Sequence, residues 1–105
     1  MECYRQGDVL LVRVADPPVD VRPLPREAGR LVLAHGEVTG HAHVVADPEA
    51  ELVTREQADE LYLMVYGEQA LLEHDEHDAI PLAEGCYRVI RQREYTPESV
   101  RFVAD

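Results

Sequence analysis

Hydrophobic positions along the chain fall in short runs, some alternating with polar positions and some continuous, separated by Gly, Pro and Asp. This is the pattern of a β domain, because an amphipathic helix would repeat its apolar residues three and four apart over a longer stretch. It predicts strands over 8–14, 30–35, 40–46, 51–54, 60–66, 69–74, 87–93 and 100–103. In Leu61-Tyr62-Leu63-Met64-Val65-Tyr66 both faces are apolar, which predicts a central strand covered on both sides. Val9 to Val14 reads in the same way, with Arg13 its single charge.

The connections are marked by residues that leave regular structure. Asp16-Pro17-Pro18 and Arg22-Pro23-Leu24-Pro25 place four prolines within nine residues and predict a loop over 16–29. Gly36 to Gly40 predicts a turn joining two strands into a hairpin, and Tyr66-Gly67-Glu68-Gln69 a second one. A helical turn is expected only at Thr54–Glu60, with Thr54 as N-cap and Gln57 three residues on. The expected fold class is all-β: one domain over 1–105, a small barrel or sandwich of about eight short strands.

Composition adds function classes that drop out. The chain has 105 residues, short enough for one domain, and at 46% hydrophobic it can bury a core. It carries 21 Asp and Glu against 10 Lys and Arg, a formal charge of −11. Residues 47–84 hold twelve of those carboxylates and one base, Arg55, so the remainder is neutral. This balance argues against wrapping a nucleic-acid backbone, which needs clustered positive charge. All ten bases are Arg, which excludes lysine nucleophiles, Schiff bases and phosphate-loop lysines. Ser99 is the one serine, and no Gly-x-Ser-x-Gly, phosphate-cradling Gly-rich loop or Cys-x-x-Cys occurs. No apolar run approaches the ~18 residues of a membrane helix, and the first residues lack a signal-peptide stretch, so the expectation is a cytoplasmic protein without membrane contact. Cys3 and Cys86 read as small reduced residues. Arg88, Arg91, Arg93 and Arg101, flanked by Tyr87 and Tyr95, read as partners of the 47–84 carboxylates, within the chain or across a subunit interface, before they read as a phosphate grip.

The histidines carry the chemistry. All five lie in two clusters, His35, His41 and His43 near the first hairpin, and His74 and His77 in Leu72-Glu73-His74-Asp75-Glu76-His77-Asp78. His41 and His43 are two apart, and on a strand that spacing sends both imidazoles to one face. Same-face imidazoles suit Zn above all, and also Fe, Ni or Cu, with His74 and His77 completing the set if the hairpins are neighbours. Glu37, Glu73 and Glu76 are candidate carboxylate ligands or a general base, and His35 an outer or additional ligand. Leu33-Ala34-His35-Gly36-Glu37 also shares a Leu-x-His-x-Glu frame with Leu72-Glu73-His74-Asp75-Glu76, a faint sign of two related halves. The alternative is that the histidines make cross-strand hydrogen bonds or lie on a solvated acidic turn.

Gly36-Glu37-Val38-Thr39-Gly40-His41-Ala42-His43, followed by Glu49, resembles the first metal motif of the cupins, in which a Gly precedes a His-x-His pair and a Glu follows. The resemblance implies a small β-barrel with His41 and His43, and Glu49 less directly, as ligands of a divalent metal. The second cupin motif departs, since Pro81-Leu82-Ala83-Glu84-Gly85 follows His74 and His77 instead of preceding them. The expected function is therefore divalent-metal binding through His41, His43, His74 and His77 in a homo-oligomer, with a small-molecule or anionic ligand at the metal. If a coordination position stays free, a metal-bound water can act as nucleophile or the site can bind a small anion or oxygenated substrate; if all are filled the metal is structural. The competing expectation is a non-catalytic acidic interaction module with structural or pH-responsive histidines.

Overall fold

The chain first turns back on itself at Gly7-Asp8, where Gly7 takes φ 60°, a left-handed conformation suited to the first position of a tight two-residue hairpin loop. A computed structural model describes residues 2–35, 41–55 and 57–91. Among them are eight strands and no helix: β1 Cys3–Gln6, β2 Val9–Val14, β3 Val21–Pro23, β4 Leu31–His35, β5 Ala42–Val45, β6 Ala50–Arg55, β7 Glu60–His74 and β8 His77–Arg91. The expected all-β domain is observed.

All pairings are antiparallel, in the order β1-β2-β8-β7-β5-β4, with β6 on β7 and β3 on β6 as a branch. β7 and β8, fifteen residues each, organise the sheet: the first half of β7 pairs with β6 and its second half with β5. The path ends at β1 and β4, and among the described residues no pairing joins those ends, so the sheet is not a closed barrel. One core still draws on all its parts, including Val9 and Leu11 of β2, Leu31 and Leu33 of β4, Leu63 and Leu72 of β7, and Leu82 and Tyr87 of β8. On the other face of β7, Tyr62 and Met64 pack with Val14, Val21, Val53 and Cys86, so this strand is covered on both sides as its pattern predicts.

Three expectations are corrected. Tyr66 to Gln69 is not a hairpin turn: β7 runs straight through, with a register shift between Val65 and Gln69. Tyr66 and Gly67 both donate their N–H to Glu49 O, at 2.8 and 3.3 Å, which holds this irregular stretch against the β5–β6 connection. The loop over 16–29 contains β3, which tolerates Pro23 because it is an edge strand paired only with β6. The helical turn at Thr54–Glu60 is a hairpin instead, closed by the Arg55–Glu60 pair, and Thr54 Oγ1 donates to Glu60 O at 2.9 Å. The turn 36–40 and the predicted strand 100–103 lie outside the described residues.

Candidate metal centre

Strand register builds a row of imidazoles. Val44 pairs with Glu73, so one step further along the antiparallel strands His43 meets His74. His74 in turn pairs with His77 across the two-residue turn Asp75-Glu76. The ring centroids are 4.4 Å apart for His43 and His74 and 4.8 Å for His74 and His77, and His41 stacks on His74 at 5.9 Å. His41, His43, His74 and His77 are thus all brought together from two segments some thirty residues apart.

Two bulges decide which histidines belong to the row. The β7–β8 register shifts between Leu72 and His74; continuing from the Leu72–Ile80 pair it would have set His74 against Asp78, and the shift sets it against His77. The β4–β5 register shifts between Val32 and Ala34, so Ala34 lies opposite His43 and His35 opposite Ala42. That inverts the alternation of β4 and turns His35 to the other face, where it is exposed and 3.5 Å from Glu27. The Leu-x-His-x-Glu frame therefore does not reflect two equivalent halves facing each other.

The tip of the β1–β2 hairpin closes over the row, and its residues were not singled out by the motif. Gln6, 2% exposed, donates from Nε2 to Leu72 O (3.0 Å) and Asp78 O (2.9 Å), and its Oε1 is 2.8 Å from His43 Nδ1. Asp8 Oδ1 is 3.3 Å from His43 Nε2. A Cβ on Gly7 would stand 2.9 Å from His77 Nε2 and 3.3 Å from His43 Cε1, so a side chain at this position would require the exposed His77 ring to move. The available signal was the Gly-Asp pair between two alternating segments, Tyr4/Gln6 and Val9/Leu11, which marks a hairpin but not what it touches.

At the outer end of the row, His41 Nδ1 and Asp75 Oδ1 are 2.8 Å apart, His74 Nδ1 is 3.5 Å from the same oxygen, and the Glu76 N–H donates to His74 Nδ1 at 3.0 Å. One ligand atom from each of His41, His74 and Asp75 falls within a 4.8 Å group. The Asp75 hydrogen bond raises His41 above the ordinary imidazole range, and His41 holds Asp75 below the usual carboxylate range. His43 moves the other way: its burial, then the neighbouring His74, disfavour the charged ring. A cleft of about 270 Å³, lined by Arg30, Ala42, Val44, Glu73, His74 and Asp75, opens beside this end.

The remaining candidates lie elsewhere. Glu73 is exposed on β7 opposite Val44, off the row, while Glu76 reaches 3.9 Å from His41 Nδ1. Glu49 lies against Gly67, apart from the His41, His74 and Asp75 group. Glu37, Arg93, Arg101 and Tyr95 lie outside the described residues. Arg88 is 3.6 Å from Glu60, a partner within the 47–84 segment.

A family model described as a domain of unknown function (DUF8820) matches residues 5–92, most of the chain. No curated protein and no solved structure matches it. The resemblance to the cupins is not accompanied by a cupin family match.

Proposed function

The chain belongs to the DUF8820 family, and on the geometry of its histidine row we propose that it binds one divalent transition metal, Zn first and Fe, Ni or Cu as alternatives. The observation that carries this reading is the convergence of His41, His43, His74 and His77, with Asp8 and Asp75 among them, on one face of the sheet. At the outer group a cation would replace the proton now shared by His41 and Asp75, so metal uptake there competes with protons. Asp75, Glu76 and Asp78, all exposed, surround the turn with negative charge that favours a cation.

The cleft beside His74 and Asp75 gives a small molecule access to this end. Arg30 on its wall makes no side-chain hydrogen bond or ion pair among the described residues, and an anionic group on the ligand would take it as partner. If a coordination position stays open, bound water would serve as a nucleophile in a metal-dependent reaction. The two free thiols, Cys3 exposed and Cys86 buried, fit a reducing compartment such as the cytoplasm. We retain a homo-oligomer in this proposal, tested by sedimentation.

The test is metal analysis of untagged protein beside a His41→Ala/His43→Ala double variant. About one equivalent in the native protein and its loss in the variant is the expected result; no metal, or equal metal in both, overturns the reading. A second reading, an acidic docking module, rests on the exposed Glu73, Asp78 and Glu84 of the β7–β8 hairpin, which have no Arg side-chain partner among the described residues. Salt-sensitive binding of a basic peptide that survives the double substitution supports it.

A further inference from the structure

Arg30 and Glu73 carry opposite charges on the walls of one cleft and do not meet. Val32 pairs with Val44 and Val44 with Glu73, so these three side chains form a line across β4, β5 and β7 on one face of the sheet. Arg30, two residues before Val32, and Ala42, two before Val44, lie on the same face, and the cleft reaches His74 and Asp75 at the end of β7. Strands on either side of a third are about 9–10 Å apart, so the positive and negative walls stand across a floor of small apolar side chains. In a chain with 21 Asp and Glu against 10 Lys and Arg, an arginine beside two carboxylates is expected to pair with one. Arg13 is 3.0 Å from Glu2, Arg55 is 3.0 Å from Asp20 and Arg88 is 3.6 Å from Glu60. Arg30 makes no side-chain hydrogen bond or ion pair among the described residues, and neither does Glu73. Arg30 is also mounted on a fixed turn. Ala28 and Gly29, both left-handed at φ 54° and 81°, form the tip across which Glu27 and Arg30 exchange backbone hydrogen bonds at 2.8 and 3.1 Å. The Arg26 guanidinium donates to Gly29 O at 3.0 Å, to Asp47 O at 2.7 Å and to Ala50 O at 3.0 Å, which ties this tip to the β5–β6 connection. A site held in this way has little backbone freedom left to lose when a ligand binds.

We propose that this cleft binds a small zwitterion, a free amino acid with an aliphatic side chain, with its carboxylate on Arg30 and its ammonium on Glu73. A guanidinium takes a carboxylate through two parallel hydrogen bonds, and a carboxylate accepts charge-assisted hydrogen bonds from an ammonium. A ligand with a single charge satisfies one wall and leaves the other without a partner. Asp75 adds negative potential on the Glu73 side, which disfavours a dianion such as phosphate or a dicarboxylate. Ala42 and Val44 offer no hydrogen-bonding side chain, so the middle of the ligand is apolar. A volume of about 270 Å³ is at the small end of ligand pockets and suits one amino acid better than a peptide. The inference goes beyond the metal reading and does not depend on it, because both anchors lie outside the His41, His74 and Asp75 group.

The test is a nuclear magnetic resonance titration of the untagged protein, as purified and again in chelator, with alanine and valine. Propionate and ethylamine, which each carry one of the two charges, are the controls. Arg30 and Glu73 are both exposed, so Arg30→Gln and Glu73→Gln are expected to fold. We expect saturable shifts of the Ala42, Val44 and Glu73 amides with both amino acids. Propionate and ethylamine should each bind about fivefold more weakly than alanine, the most that one exposed ion pair gives. Arg30→Gln should remove the advantage of alanine over ethylamine, and Glu73→Gln its advantage over propionate. If neither amino acid gives a saturable shift, the inference falls. If propionate binds as tightly as alanine, the cleft is an anion site and the inference falls. If both variants bind alanine as the wild type does, the amino acid is held elsewhere and the inference falls. If binding disappears in chelator, the bound metal holds the amino acid, so the inference falls and the metal reading stands. Binding with this charge dependence in a protein without metal upholds the inference and overturns the metal reading alone.

Discussion

Ala34, and not its neighbour His35, stands opposite His43 across the β4–β5 ladder. In an unbroken register Leu33 would stand opposite His43 and His35 opposite His41, so His35 would share their face and extend the row at its His41 end. The bulge between Val32 and Ala34 sets Ala34 opposite His43 and His35 opposite Ala42, which turns His35 to the other face, so the row ends at β5.

His35→Ala should therefore leave metal stoichiometry and affinity unchanged. Its ring is exposed and its Glu27 contact is a surface pair at 3.5 Å, so the change in stability should stay within about 0.5 kcal/mol. Metal titration and urea unfolding of the variant check both; a loss of metal would place His35 back in the ligand set.

Gly7→Ala is expected to destabilise the protein by about 1–2 kcal/mol, because a non-glycine residue is forced into a left-handed conformation. The new Cβ would also meet His77 Nε2 at 2.9 Å, so the ring must move and metal affinity should fall with stability. A lower urea midpoint with an unchanged slope, together with weaker zinc binding, is the expected pair of results. Zinc affinity equal to that of the wild type would show that the hairpin tip does not shape the site.

How far the residues foretold this site depends on the range of each interaction. His41 and His43 share a side because strand periodicity is local, and that was legible. The continuous apolar run Leu31-Val32-Leu33-Ala34 hides its bulge, since every residue in it suits either face. Gly67 is ambiguous for a related reason: a glycine flanked by polar residues marks a turn and a strand irregularity equally well. Gln6 and Asp8 reach His43 across 37 and 35 positions of sequence, and no local pattern encodes which hairpin tip will cover which ring.

The pH dependence of the metal-free protein should separate His41 from His43. His41 is raised when folded, so its pairing with Asp75 stabilises fully below the ordinary imidazole value, about 6.5, and is lost as pH rises through the higher folded value. Asp75 is depressed when folded, so its share is present above the ordinary carboxylate range and is lost on acidification. His43 is depressed, and the proton then favours the unfolded chain: stability falls as pH drops below about 6.5. Unfolding of the wild type and Asp75→Asn between pH 4 and 9, in chelator, should show the largest difference between about pH 4 and 6.5. The curves should converge at higher pH as His41 loses its proton. A constant difference across the range would mean that the pair does not titrate as its contact requires.

Leu72 lies beneath the row, fully buried and two residues before His74 on β7, and joins the site to the core. Leu72→Ala leaves every proposed ligand in place but opens a cavity, and should cost about 2–5 kcal/mol. A cation that binds only the folded chain stabilises by mass action, about 2.7 kcal/mol at a free concentration one hundred times its dissociation constant. Zinc at that excess should therefore recover a comparable part of the loss in Leu72→Ala, and stabilise the wild type by a similar increment. Equal increments would mean that core and metal contribute separately. A much smaller one in Leu72→Ala would mean that the row needs Leu72 to hold its shape, and no increment in either protein would contradict a metal bound to the folded state. Unfolding in zinc and in chelator, read for both proteins, decides among these outcomes.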